Sequence, residues 1–229
     1  MPVMRKSVQM HQYSEATGQV NNGYDDELSA KFRFIVDMVE PRSFVLDIGC
    51  GDGTLLKTLQ VEKQVRAQGI DLCEDAIQSC VSKGLFVYHG DLDEGLADFN
   101  DRSVDYVIAT NTLQMLHKPA FIIREMARVG KKCIISVPNF AYWRVRWELL
   151  VKGRMPKTKY LPFEWYDTPN IHLTTIKDFR EFCKKANISI LKEVFLRTSP
   201  EGYCSVIKHL PNLFADQAIF MIEGHKGSK

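Results

Sequence analysis

Long apolar runs are absent from the 229-residue chain: its longest, such as residues 218–222, fall far short of the roughly 20 residues that cross a bilayer. The N-terminus has no hydrophobic signal core, so we expect a soluble protein without a targeting segment or membrane partner. An excess of one charge is also absent, because the chain has 30 Lys and Arg residues and 28 Asp and Glu residues, which gives a net charge of +2. This balance gives no reason to expect attraction to nucleic acid over long range.

Paired cysteines are absent as well. The six cysteines are widely spread and form no C-x-x-C motif, which argues against a disulfide scaffold. Reduced thiols fit this pattern, and we expect a cytoplasmic protein. No histidine has partners at metal-ligand spacing, so no metal site is expected. The 45% hydrophobic content suffices for one sizeable core, and a single domain is the default expectation.

Strands and helices alternate along most of the chain. Residues 1–24 are polar and predict a flexible N-terminal arm, followed by one domain over residues 25–224. Five strand-then-helix repeats predict an α/β fold with a doubly wound, mostly parallel sheet. Two closing strands, 188–196 and 217–223, bring the predicted sheet to seven strands, with the last strand antiparallel. The five earlier strands are predicted at 44–48, 65–70, 85–89, 104–110 and 133–137.

The glycine-rich turn VLDIGCGDG, residues 45–53, follows the first predicted strand. In open α/β sheets this is where ligands bind, and glycine lets the backbone approach them closely. Thr54 stands where the dinucleotide fingerprint needs its third glycine, and the carboxylates of Asp47 and Asp52 would repel a pyrophosphate. No lysine follows at the spacing of a nucleoside triphosphate loop. The turn therefore predicts a ligand without phosphates.

Polar side chains also end the next three strands. Asp71 follows the second strand, at a position where a carboxylate can accept both hydroxyls of a ribose. Asp91 follows the third strand, where it can accept the amino group of an adenine, and Asn111 follows the fourth. A ligand with a ribose and a positive centre suits these groups, and S-adenosylmethionine is such a ligand. The predicted contact residues are Asp47, Gly49, Cys50, Gly51, Asp71, Leu72, Asp91, Leu92 and Asn111.

This set of residues resembles the class I S-adenosylmethionine-dependent methyltransferases, which have a Rossmann-like fold. Four longer phrases resemble the MetW family of methionine biosynthesis: GDLDEGLADF (90–99), TLQMLHKP (112–119), REMARVGKKCIISVPNFAYWRVR (124–146) and EWYDTPNIHLTTIKDF (164–179). The resemblance implies S-adenosylmethionine or S-adenosylhomocysteine as the bound cofactor. It also implies association with homoserine O-acyltransferase, whose reaction this chain cannot perform because it lacks a G-x-S-x-G nucleophile elbow.

Two functions follow from these observations. The first is transfer of a methyl group to a small-molecule substrate, for which the candidate catalytic residues are His172, Tyr142 and Tyr166. A neutral imidazole can accept a proton during methylation, although His172 is equally consistent with a structural role, and His117 at a helix start favours the structural role. The second function is a non-catalytic partner or regulator that binds adenosylmethionine without consuming it.

The segment 138–173 is rich in aromatic and basic residues and is predicted to be a lid or a docking segment. Aromatic rings suit a sulfonium ion, and Trp, Tyr and Arg are also common in protein interfaces. Trp143 and Trp147 lie four apart on a predicted helix and are expected to pack inward. The basic residues favour a solvated face over a nucleic-acid surface; they are Arg144, Arg146, Lys152, Arg154, Lys157 and Lys159.

Overall fold

The computed structural model describes residues 31–158, 163–199 and 203–224. The predicted arm, residues 1–24, lies outside the described residues. The described chain contains one eight-stranded sheet of order β3-β2-β1-β4-β5-β8-β6-β7. Its strands are β1 (Phe44–Ile48), β2 (Arg66–Asp71), β3 (Phe86–His89), β4 (Val104–Thr110), β5 (Gly130–Pro138), β6 (Ile188–Thr198), β7 (Cys204–Val206) and β8 (Gln217–Gly224).

Helices cover both faces of the sheet. On one face, residues 31–36 and helices α1 and α2 pack over alternate side chains of β1, β2, β4, β5 and β8. On the other face, α3 and α5 cover the intervening side chains of β1, β4, β5 and β8. The helices are α1 (Thr54–Lys63), α2 (Glu74–Ser82), α3 (Pro119–Val129), α4 (Trp143–Lys152), α5 (Ile176–Lys185) and α6 (Pro211–Phe214), with 3-10 turns at Leu92–Glu94 and Leu113–Met115.

The predicted fold class is confirmed. Strands β1 to β5 are parallel, and β8 runs antiparallel between β5 and β6. The structure adds the three-residue strand β7, which pairs antiparallel with the end of β6, and the single-turn helix α6. Elements this short bury too few side chains to produce a periodic sequence pattern. Within the described ranges, no helix is long and apolar enough to cross a membrane.

Parallel pairing sets the position of the candidate ligand residues. Asp47 of β1 lies opposite Gly69 of β2 and Ile108 of β4, and Asp71 of β2 lies opposite His89 of β3. The carboxyl ends of β1 to β4 therefore meet along one edge of the sheet, where the strand order reverses between β1 and β4. A crevice at this edge is the usual ligand position in an open α/β sheet.

Candidate functional site

The glycine turn between β1 and α1 is fixed by close packing. Gly49 and Gly53 have left-handed backbones, with φ of 69° and 78°. A Cβ on Gly49 would lie 2.6 Å from the Thr112 side chain, and one on Gly53 would lie 2.4 Å from Leu85 Cδ1. At Gly51, where φ is 54°, a Cβ would have nothing within 4 Å among the described residues. The turn is thus packed at both ends and open in its middle.

Asp71 connects the end of β2 to this turn. Its Oδ2 accepts a hydrogen bond of 2.8 Å from the Gly51 N–H, and its Oδ1 accepts one of 2.9 Å from the Cys73 N–H. Burial raises the pKa of the Asp71 carboxyl, and the N–H groups of Cys73, Gly51 and Leu72 oppose that shift. A carboxylate has about four lone-pair positions, so Asp71 can still accept a bond from a ligand hydroxyl.

Two carboxylates shape the loop after β3. Asp91 accepts a 2.9 Å bond from the Asp93 N–H and caps the 3-10 turn Leu92–Glu94. Asp93 is buried and accepts bonds from the N–H groups of Lys118 (2.9 Å) and His117 (3.2 Å). These bonds fix the start of α3 against the β3 loop. They also give the backbone of His117 a structural role, as its position at a helix start suggested.

A cleft lies at this edge of the sheet, at the carboxyl ends of β2 and β3. Five of the nine predicted contact residues line it, namely Gly49, Asp71, Leu72, Asp91 and Leu92. The other lining residues in the described chain are Gly90, Asp93, Met115, Leu116 and Pro169. The cleft therefore combines two strand-end carboxylates with apolar walls.

The remaining predicted contact residues lie next to the cleft without lining it. Asp47 is buried under the turn, and its Oδ1 has no hydrogen-bond partner among the described residues. Burial and the charge of Asp71 hold the pKa of the Asp47 carboxyl well above its usual value. Asn111 has a left-handed backbone, with φ of 54°, and donates its N–H to the Ser136 carbonyl (3.3 Å) and hydroxyl (3.2 Å). Gly51 holds Asp71, as described above.

Cys50 lies in the turn as a buried thiol. A hydrogen bond with the Cys80 thiol and burial both raise the Cys50 pKa. A thiol nucleophile needs a lowered pKa, so the environment of Cys50 does not support nucleophilic catalysis. Its side chain instead fills the space beside Gly69, where a Cβ would lie 2.6 Å from Cys50 Sγ.

The three candidate catalytic residues do not line the described part of the cleft. His172 lines a second cavity, across the turn Leu113–Met115, and within the described chain its buried Nε2 has no hydrogen-bond partner. Tyr142 is buried at the start of α4, and Tyr166 is exposed. The structure thus places only His172 in a cavity next to the cleft.

One residue of the 138–173 segment forms part of the cleft wall in the described chain. Pro169 lines it, and the N–H groups of Ile171 and His172 both donate to the Gln114 carbonyl, at 2.7 and 3.0 Å. Pro169, Met115 and Leu116 had no local motif by which the sequence could identify them. Asp93 did have a signal, because it is a second carboxylate two residues after Asp91.

Helix α4 departs from the sequence expectation. Trp143 and Trp147 were expected to pack inward, and this is wrong, because both are exposed and only Val145 of the ten helix residues is buried. The helix alternates apolar residues with Arg144, Arg146 and Glu148, and Val145 takes the inward face. Spacing alone could not decide which apolar face meets the core.

Comparisons with known proteins place the chain in a family. A family model described as methionine biosynthesis protein MetW matches residues 29–222. The chain belongs to the MetW family. It is also 34% identical over 204 residues to the bifunctional methionine biosynthesis protein MetXA/MetW of Rhodopirellula baltica. That match covers 85% of this chain and 33% of the relative, so the chain spans about a third of the relative's length.

Solved structures share the fold at low identity. A SAM-dependent methyltransferase from Thermotoga maritima has a TM-score of 0.65 at 16% identity, covering 96% of this chain and 97% of its own. Magnesium protoporphyrin IX methyltransferase from Synechocystis, with bound SAH, has a TM-score of 0.62 at 18% identity, covering 90% and 89%. The [4+2]-cyclase SpnF has a TM-score of 0.61 at 15% identity, covering 90% and 86%. A cyclase among these neighbours shows that the fold does not determine the reaction.

Proposed function

We propose that this MetW-family chain binds S-adenosylmethionine or S-adenosylhomocysteine in the cleft at the ends of β1 to β3. The observation that carries the proposal is the Asp71 carboxylate, which backbone N–H groups hold on the cleft wall with lone pairs left over. The fold neighbours support it, since one of them is a methyltransferase with bound SAH.

The residues present fit the parts of such a ligand. Asp71 would accept the ribose hydroxyls, and Asp91 would accept the adenine amino group between the apolar walls of Leu72 and Leu92. Asp47 contributes a buried oxygen that lacks a partner among the described residues, and a positively charged ligand group above the turn would stabilise its ionised form. Gly49 allows the backbone to approach the ligand without a Cβ between them.

When bound, S-adenosylmethionine supplies an electrophilic methyl group on its sulfonium centre. For methyl transfer to a small molecule, the chain would mainly hold the reactants in line and exclude water, since proximity alone supplies about 7–11 kcal/mol. The wall that contains Pro169 and Met115 would exclude water on one side. His172, in the adjoining cavity, is the proton acceptor that we propose for an acceptor molecule bound there.

A second candidate function is that of a binding partner or regulator of homoserine O-acyltransferase. The observation that favours it is the Rhodopirellula relative, which is named as MetXA and MetW in one bifunctional chain. A methionine-derived ligand in the cleft would then act as a feedback signal through a coupling between two binding sites. This role requires the cleft but no catalytic base.

Calorimetry of purified protein with S-adenosylmethionine and S-adenosylhomocysteine tests the cleft assignment. We expect Asp71→Asn to weaken binding about tenfold to a hundredfold, because a hydrogen bond to a charged group contributes about 1.5–3 kcal/mol. The matched control is Asp98→Asn, an exposed carboxylate outside the cleft, which should bind like the wild type. Equal affinities for both variants would remove the ribose assignment.

A second experiment separates the two functions. The protein is incubated with methyl-labelled S-adenosylmethionine and cell extract, and its co-elution with the acyltransferase of the same organism is measured separately. Label transfer without co-elution supports the methyltransferase and eliminates the partner role. Co-elution while the labelled ligand stays intact supports the partner role and eliminates the enzyme.

A further inference from the structure

Helix α4 has an apolar face that remains largely exposed in the described chain. Its four members lie at positions i, i+4, i+7 and i+8, which places them on one side of a helix. We call this set the α4 stripe: Trp143 (39% exposed), Trp147 (59%), Leu150 (80%) and Val151 (60%). The helix touches the core through Val145 on another side, so the stripe does not serve to attach α4 to the domain.

The composition of the stripe is that of an interface. Single exposed apolar residues, such as Val61 on α1 and Val81 on α2, are normal on any protein surface. A contiguous set with two tryptophans is different, because large exposed apolar patches mark interaction sites and tryptophan is enriched among interface hot spots. Met155, just beyond the helix, is also exposed and extends the apolar surface.

Positive charge surrounds the stripe. Residues 143–158 contain five basic residues and one acidic residue, although the whole chain has a net charge of only +2. Lys152 lies 3.6 Å from Glu148 and Lys157 pairs with Glu164. Arg144, Arg146 and Arg154 form no ion pair with any described residue. An occupant of the stripe is therefore expected to have an acidic rim.

The positive charge around the α4 stripe also favours some binding partners over others. A second copy of this chain docked through the same stripe would bring two basic rims together, and like charges across an interface are unfavourable. Duplex nucleic acid would pair its phosphates with the arginines, but its bases are stacked inside the duplex and would leave the tryptophans exposed. A protein with an apolar groove and acidic edges satisfies both the stripe and its rim, in the manner of a helix bound in a groove.

We propose that the α4 stripe docks into an apolar, acid-rimmed groove on homoserine O-acyltransferase. This inference rests on the partner role proposed above, and it names the surface of the chain that makes the contact. The relative that contains both proteins in one chain supports a lasting association between them. The stripe is separate from the cleft residues, so the cleft keeps its own ligand when the partner is bound.

The test measures the affinity of the full-length chain for the acyltransferase of the same organism, with the acyltransferase immobilised. The variant Trp147→Ala with Leu150→Ser removes the centre of the stripe, and we expect its affinity to fall at least a hundredfold. The matched control, Val61→Ser with Val81→Ser, alters two equally exposed apolar residues on other helices and should stay within threefold of wild type. Arg144→Glu with Arg154→Glu should lower mainly the association rate.

Three outcomes would overturn the proposal, and each would do so in a different way. If the Trp147 and Leu150 variant binds the acyltransferase with wild-type affinity, the stripe is not the docking surface, and the partner role itself is unaffected. A wild-type chain that does not bind the acyltransferase rejects both. In the third outcome, the wild-type chain self-associates, or binds anionic vesicles or DNA, and fails to bind the acyltransferase. If the Trp147 and Leu150 variant loses that binding, the stripe belongs to the other occupant. Unchanged S-adenosylmethionine affinity in every variant shows that the domain is folded and that the cleft is unaffected.

Discussion

The cleft and the α4 stripe are two surfaces of one domain built in opposite ways. In the cleft, Asp71, Asp91 and Asp93 are held by backbone N–H groups, and the glycine turn is packed against Thr112 and Leu85. On α4, large apolar side chains are exposed and the nearby arginines lack ion-pair partners among the described residues. The first surface is preorganised for a small molecule. The second is incomplete until a macromolecule covers it.

The difference teaches which residues act in folding and which act in binding. In the proposed site the cleft residues do both, because the carboxylates that would face the ligand also connect the strand ends. We expect the stripe to contribute little to folding, because most of its surface is exposed. The predictions below test this contrast, beginning with the largest expected effect.

Asn139 fixes the point where the α4 segment leaves β5. Its Nδ2 donates to the carbonyls of Ala215 (2.7 Å) and Asn212 (3.2 Å), and its Oδ1 accepts from the N–H groups of Ala141 (3.1 Å) and Ile176 (3.4 Å). Asn139→Leu leaves these buried groups unpaired, and we expect a loss of about 3–5 kcal/mol of unfolding free energy in urea titrations.

The contrasting variant is Gln217→Met. Gln217 is fully buried, and neither amide atom has a hydrogen-bond partner among the described residues. We expect this change to be neutral or to stabilise the protein by about 1 kcal/mol, because it removes an uncompensated polar group. A loss for Gln217→Met as large as that for Asn139→Leu would contradict the bonding scheme.

The glycine turn should tolerate no side chain at Gly53. Gly53→Ala places a Cβ 2.4 Å from Leu85 Cδ1 and 2.7 Å from Cys80 Sγ at a φ of 78°, so we expect a loss of about 2–4 kcal/mol by chemical denaturation. The control is Gly84→Ala, with φ of 72° and no described atom within 4 Å, which should lose about 1–2 kcal/mol. If the two losses were equal, backbone conformation alone would explain the turn.

Ligand affinity should depend on pH through Asp71. Burial raises the pKa of this carboxyl in the free protein, and ribose hydroxyls that donate to the carboxylate would lower it in the complex. Protonation therefore opposes binding, and affinity should fall by up to about tenfold per unit as the pH drops below the raised pKa. Calorimetry from pH 8 down to the lowest pH at which the protein stays folded should show a shallower fall for Asp71→Asn; parallel curves would exclude Asp71 as the titrating acceptor.

The smallest expected effect is on the stability of α4. Trp147→Ala should change the free energy of unfolding by less than about 0.5 kcal/mol, because surface substitutions rarely exceed this. Val145→Ala, on the buried side of the same helix, should lose about 2 kcal/mol. A large loss for Trp147→Ala in thermal or urea unfolding would show that the stripe packs within the domain.

Much of the fold was predictable from the sequence because it depends on local patterns. The runs at Phe44–Ile48 and Val104–Thr110 are mostly apolar and match β1 and β4. Five of the cleft residues were predictable because parallel strands bring their ends to one edge.

The rest depended on contacts between distant segments. Pro169 reaches the cleft because Ile171 and His172 bind the Gln114 carbonyl, and no local pattern encodes that pairing. The outward direction of Trp147 depends on which face of α4 meets the core, which its spacing leaves undecided. Sequence periodicity reports that a helix has two faces, and only the packed structure shows which face is covered.

Hydrogen exchange with each binding partner in turn tests the separation of the two surfaces most directly. Addition of S-adenosylmethionine should slow exchange at the turn 49–53 and at residues 90–93, and leave residues 143–152 unchanged. Addition of the acyltransferase should slow exchange mainly in α4, with at most the smaller change at the turn that a coupling between two sites produces. Equal protection of the same amides by both would contradict the account, because the cleft and the α4 stripe would then be a single site.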